Sequence, residues 1–352
     1  MTPNQIRIAV YSLDLPQYAC AQLRVVQPAT QLAGQVRLDW AAQSNGNDYA
    51  IRADAIDSAD LILIQRTFPQ AGAWPLVEKA LASGKPVLYD IDDLLLDVPE
   101  DHPLKKRLQL CVPFVRELLA RADLTTVSTP TLAAAVAPLA KKVLVLANRL
   151  PDALWRTKAP AKSKQPGRLR IGFAGTASHQ ADLALIEDAL LEIAAKHHGA
   201  VEFVFYGCAT PRLRRLNAAV WRPFGDDYAA YCRALPRLGL HIGLGPLRDT
   251  PFNRCKSNIK WQEYAACGLA GIFSDLEPYR DTVEPDSTGM LCANTAEAWF
   301  AALDRLISDP MLCHHIGRSA YAAVMHRFCL SRCVADYLKA WTYATASQGE
   351  HA

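Results

Sequence analysis

Short apolar, β-branched runs alternate with longer amphipathic ones along this chain, and that alternation leaves few folds open. The strand-like runs of the first half are "RIAVYSL", "VRLDW", "DLILIQ", "PVLYDID", "LTTVS" and "KVLVLAN". Helical patterns such as "WPLVEKALAS" and "LKKRLQLCVPFVRELLARA" lie between them. Strands separated by helices cannot pair as hairpins, so they predict a doubly wound parallel sheet. The pattern stops at "RTKAPAKSKQPG", a Pro- and Lys-rich stretch with no hydrophobic period that reads as a linker. It then restarts with "LRIGFAG", a helix from about Asp182, "VEFVFYG", "LHIGLGPL", a further helix and "AGIFSD". A chain of 352 residues is long for one domain and suits two. The expected organisation is therefore an α/β domain over 1–155, a linker and hinge over 156–167, and a second α/β domain over 168–330. A last amphipathic helix over 331–352 is expected to pack back on the first domain.

Composition narrows the function classes. Half the residues (51%) are hydrophobic and 21% are charged, as in a globular chain, and the net charge of +3 does not point to nucleic acid. The ten cysteines follow no CxxC or framework spacing, which fits a reducing cytoplasm. No secretory signal is visible at the start and no run is long enough to span a bilayer, so a cytoplasmic protein, at most peripheral at the inner membrane, is expected. No GxGxxG follows a strand, and there is no P-loop and no GxSxG. The "CHH" at Cys313–His315 puts adjacent histidines on different sides of a helix, so no metal site is expected there.

The segment with the most unusual charge is "NRCKSNIKWQEYAACG", Asn253 to Gly268. It is the crossover between "LHIGLGPL" and "AGIFSD" and reads as a helix from about Asn258 to Cys267, capped by Ser257 and stopped by Gly268. Its amino end falls at a strand's carboxyl end, where open α/β sheets bind ligands and where a helix favours an anion. Arg254, Lys256 and Lys260 add cations at that end. Lys256, Lys260 and Glu263 are spaced to share one helix face, which suits either a diphosphate beside a hydroxyl-bearing group or a solvated ion-pair face.

"FNRCKSNIKWQEYAACGLAGIFSDLEPY" resembles the C-terminal signature of glycosyltransferase family 4, the group 1 glycosyltransferases of GT-B fold. "LILIQR", "GKPVLYDIDDLLL", "ADLTTVSTPTLA", "VLVLAN", "RIGFAGTASHQADL" and "AWFAALDRLISDP" extend the resemblance over most of the chain. It implies two Rossmann-like doubly wound domains facing a cleft, a nucleoside-diphosphate sugar bound by the second domain, and a glycan or lipid-linked glycan acceptor bound by the first. It also implies catalysis without metal or cofactor, the nucleotide sugar being a substrate, and retention at the anomeric carbon. Of the family's two glutamates, the one on the ribose falls on Glu263, while Cys255 holds the place of the one on the sugar. The basic pair that often follows the second domain's first strand is missing from "GTASHQAD", and Arg254, Lys256 and Lys260 are read as replacing it, with Ser257, Asn258 and Ile259 at the helix start.

Other candidates follow from strand ends. Gly175, Thr176 and His179 follow the second domain's first strand, with His179 either on the donor or capping a helix with Ser178; Gly207 is a donor contact or a turn glycine. In "DIDD", the resemblance places Asp92 where many relatives have a histidine facing the sugar. Asp92 and Asp93 are read as an acceptor-hydroxyl site, or else Asp93 caps the next segment and Asp90 pairs with a base such as Arg66. Arg24, just after the first strand, is read as touching donor phosphate or acceptor, or else as a surface arginine, and Arg66 completes the acceptor side. "HPLKKRLQ", near His102, is read as a solvated face or as a basic helix start for an anionic membrane. The expected activity is transfer of a sugar from a nucleotide sugar to a bacterial surface glycan, with Asp92, Lys256 and Arg254 catalytic. The rivals are a GT-B nucleotide-sugar epimerase, which needs no acceptor, and a non-catalytic nucleotide-sugar or glycan-binding protein.

Overall fold

In the computed structural model, which describes residues 5–45, 48–155, 168–223, 225 and 227–346, the chain divides into two units. The first groups Met1–Asn148, Cys255–Ser257 and Leu330–Ala352; the second groups Arg149–Arg254 and Asn258–Cys329. The linker expected over 156–167 lies outside the described residues.

The first unit is built on strands β1 (Ile6–Tyr11), β2 (Val36–Trp40), β5 (Leu61–Gln65), β6 (Val87–Ile91), β7 (Leu124–Val127) and β8 (Val143–Val145). They form one parallel sheet in the order β2-β1-β5-β6-β7-β8. β5 and β6 are buried along their whole length, which is why their sequences are mostly apolar rather than alternating, with Gln65 and Asp90 the polar members. Beside this sheet, β3 (Ala42–Asn45) and β4 (Asp48–Ile51) make a small antiparallel pair, which the sequence reading did not anticipate. The helix Leu330–Ala346 buries Tyr337, Ala340, Trp341 and Ala344 in this unit's core, at the spacing of one helix face.

The second unit repeats the scheme with β9 (Leu169–Gly175), β10 (Val201–Gly207), β11 (Ala219–Arg222), β12 (Ile242–Gly245), β13 (Ala270–Ser274) and β14 (Met290–Cys292). Their order is β11-β10-β9-β12-β13-β14, again all parallel. Residues 149–155 pack here and not with the first unit, so the expected boundary at 155 falls seven residues late by contact. Trp155 explains this: it is fully buried, lies edge-on to Tyr228 and Tyr231, and donates its indole N–H to the Tyr228 hydroxyl at 3.2 Å.

Each sheet has a switch point where the chain reverses its direction of winding: between β1 and β5, and between β9 and β12. Carboxyl ends of strands at such a point leave a crevice between loops that turn opposite ways, and ligands of open α/β sheets bind there.

Candidate functional site

At the switch point of the first unit stands Arg66, the residue after β5. Its backbone is left-handed, with φ at 48°, a conformation that costs a non-glycine residue about 1–3 kcal/mol. Two hydrogen bonds hold it there: its N–H donates to Asp90 O at 2.8 Å, and the Tyr89 hydroxyl donates to its carbonyl at 2.8 Å. The strain aims one guanidinium at three carboxylates: Asp14 at 2.6 Å, Asp92 at 3.0 Å and Asp93 at 3.2 Å. Lys256 approaches Asp93 at 3.3 Å, and the Cys20 thiol hydrogen-bonds Asp92. Burial pushes the Asp92 pKa up, Arg66 draws it back in part, and the net direction is upward. The half-buried His102 has its pKa lowered by burial and then by the Lys256 charge. The result is a cluster of three acids and two bases in which burial holds the Asp92 carboxyl above the usual aspartate range.

The structure thus joins Arg66, Asp92, Asp93 and Lys256, four residues singled out in the sequence, and adds Asp14 and Cys20, which carried no sequence signal beyond following β1. Lys256 is not on a helix face with Lys260 and Glu263, because it precedes the helix and meets Asp93. Ser257 does not cap that helix; its hydroxyl accepts from Asn148 at 3.0 Å. Cys255 is buried, and its carbonyl accepts from Thr129 at 2.9 Å.

Arg24 is corrected outright. It is 1% exposed and cannot reach a ligand. It sits in a π-helical turn, Gln22–Val26, and its guanidinium meets Asp90 at 2.7 Å, Asn148 at 3.1 Å and the Leu146 carbonyl. Asp90 therefore pairs with Arg24 and not with Arg66, and it also accepts from the Thr126 hydroxyl at 2.7 Å.

In the second unit the helix after β12 runs Ile259–Ala266, one residue shorter at each end than expected, and stops at Gly268, whose φ of 68° suits glycine. The Asn258 side chain makes no capping bond to the helix, so the backbone N–H groups of its first turn have no side-chain cap from that residue. Lys260 and Glu263 are both buried, which rules out the solvated ion-pair face for these two residues. The Lys260 ammonium donates to the Ala174 carbonyl and lies 4.7 Å from the Phe173 ring centre. Glu263 accepts from the Tyr228 and Tyr231 hydroxyls at 3.0 and 2.8 Å. Arg254 ends the turn Pro251–Arg254 with its guanidinium on Asp249, at 2.6 and 2.7 Å, and on Glu277. Its charge is met locally rather than left waiting.

Around β9, Gly175 is a packing glycine: a Cβ there would come within 3.0 Å of the Phe173 ring and 3.3 Å of His179. Thr176 is exposed and shares a hydrogen bond with Ser178 at 2.8 Å. His179 contacts Asp182 at 2.9 Å and makes no capping bond. Asp182 also accepts from Arg248 N–H at 2.9 Å and from the Asn253 amide at 2.8 Å, so one buried carboxylate ties the short helix Gln180–Ala184, which follows β9, to the segment after β12 across the switch point. Gly207 has φ at 97°, and its carbonyl accepts from the Trp221 indole at 3.1 Å, which supports the turn reading.

Burial pushes the Glu263 pKa up; Lys260 and the two phenols oppose it. A carboxyl with a higher pKa folded than unfolded favours the native state below its unfolded pKa, and that contribution is lost as pH rises through the folded value. Glu263→Gln does not ionise. Its melting temperature relative to wild type should therefore climb as pH rises above the ordinary glutamate value of about 4.3. A difference that stays flat with pH contradicts this account.

No family model matches the sequence and no curated protein is similar to it. Solved structures are. Sucrose-phosphate synthase from Thermosynechococcus elongatus aligns with a TM-score of 0.70 at 14% identity, over 97% of this chain and 100% of that one. Anabaena HepE in complex with UDP and glucose aligns at 0.69 and 16%, over 96% and 100%. OtsA aligns at 0.64 and 12%, over 96% and 99%. The chain has the GT-B fold. At these identities the likeness speaks for the fold and leaves the side chains to be judged on their own geometry. Among the described residues, no helix is long and apolar enough to cross a membrane.

Proposed function

We propose that the chain is a glycosyltransferase that takes a sugar from a nucleoside-diphosphate sugar held by the second unit and delivers it to an acceptor hydroxyl held by the first. The observation that carries this is the GT-B likeness over nearly the whole chain to a protein solved with UDP-glucose. Local geometry supports it. The uncapped start of the Ile259–Ala266 helix, at the end of β12, suits a diphosphate, because partial positive charge collects there. The Arg66 cluster at the first unit's switch point offers Asp92 as a base toward a hydroxyl. Retention at the anomeric carbon is carried by the family resemblance alone; Glu263, engaged by two phenols, is not a free nucleophile for a double displacement. The diphosphate departs with its growing charge stabilised by the helix end. A bacterial surface glycan is the acceptor class this reading retains.

UDP-, GDP- and dTDP-sugars compared by thermal shift test the proposal. The cognate donor should raise the melting temperature, since a ligand at a hundred times its Kd adds about 2.7 kcal/mol to native stability. Nucleoside diphosphate should then be released when a glycan acceptor is added. Absence of any shift across the donors would sink the proposal.

A further inference from the structure

A cavity of about 420 Å³ opens at the opposite end of the second sheet, where β10 begins. Arg168 enters it from the start of β9 and Arg215 from the turn before β11, with His198 and Asn217 on its rim and Leu191 and Leu216 in its floor. Arg168, Arg215 and His198 are exposed, and none makes an ion pair or side-chain hydrogen bond with a described residue. No Asp or Glu lines the cavity. This contrasts with Arg212, Arg254, Arg280 and Arg305, whose guanidinium groups each meet a carboxylate. The volume is that of a small-molecule site. β10 spans seven residues between this cavity and Gly207, so about 20 Å separates it from the strand ends where a donor would bind.

We infer that this cavity binds a small phosphomonoester with an apolar body. Two forked guanidinium groups match a phosphate dianion, and the leucine floor takes a ring or an alkyl group.

Calorimetry with phenyl phosphate and with inorganic phosphate tests it. Phenyl phosphate should bind at millimolar concentration or below, and about tenfold or more tighter than inorganic phosphate, because its ring is buried on the floor. The Arg168→Ala/Arg215→Ala double variant should weaken binding by about tenfold or more, while Arg212→Ala, which removes an exposed cation outside the cavity, should not. Both cavity arginines are exposed, so the fold should survive; Asn217→Asp, which adds a like charge at the rim, gives a second variant with the same expected loss. The inference is overturned by absence of binding at millimolar phenyl phosphate, by equal affinity for inorganic phosphate, by binding that both cavity variants retain, or by an equal loss in Arg212→Ala.

Discussion

Asp92→Asn should leave donor affinity unchanged and lower turnover by about 10²- to 10⁴-fold, the usual contribution of a positioned general base. The substitution keeps the shape of a side chain that is 9% exposed and leaves Arg66 between Asp14 and Asp93, so the cluster stays assembled. The pH profile makes the test specific. Burial raises the Asp92 pKa, so its basic form is lost, as pH falls, at a higher pH than for an ordinary aspartate. Wild-type kcat/KM should therefore decline on the acid side through that raised value, and the Asn variant should lack this limb. Wild-type turnover in Asp92→Asn, or a fall in donor affinity as large as the fall in turnover, would assign Asp92 to structure alone.

Arg24→Ala should destabilise the first unit by about 3–5 kcal/mol, the cost of breaking a buried ion pair by removing one partner. Asp90 is 3% exposed and would be left with the Thr126 hydroxyl against its charge, while Asn148 and the Leu146 carbonyl lose their donor. Burial by itself would lower the arginine's pKa; Asp90 outweighs that and the net shift is upward, as expected for a pair that stays ionised. Replacing both members, as Arg24→Met with Asp90→Leu, should recover much of the loss, since well-packed apolar groups often equal a buried pair. Denaturant titration of wild type, Arg24→Met, Asp90→Leu and the double variant gives the cycle. A midpoint for Arg24→Ala equal to wild type would show that the pair contributes nothing to stability.

The two predictions concern Asp92 and Arg24, and the contrast between these residues shows where sequence reading works. Every strand named from its apolar run is present, since a run such as "LILIQ" buried on both faces has no other way to satisfy its backbone and hide its side chains. The restart of the pattern after residue 167 likewise yields a second sheet. Arg66, Asp92 and Asp93 were legible because they sit at the carboxyl ends of such strands, and strand ends are fixed once the strands are.

Partner choice was not legible. Arg24 and Arg66 read alike as arginines near strand ends, yet a π-helical turn draws one inside to Asp90, and a left-handed backbone holds the other over three acids. Lys256, Lys260 and Glu263 have the spacing of one helix face, but the helix begins after Lys256, and the remaining two turn inward to a carbonyl and two phenols. Tyr228 and Tyr231 lie more than thirty residues from Glu263 and share no pattern with it. The sequence by itself determined two doubly wound parallel sheets and which loops would stand at their carboxyl ends, because hydrophobic periodicity is a local property that each segment carries with it. The tertiary structure alone decided which charges are neutralised and which face outward, because an ion pair depends on a few ångströms between segments far apart in the chain, and no local pattern encodes that distance.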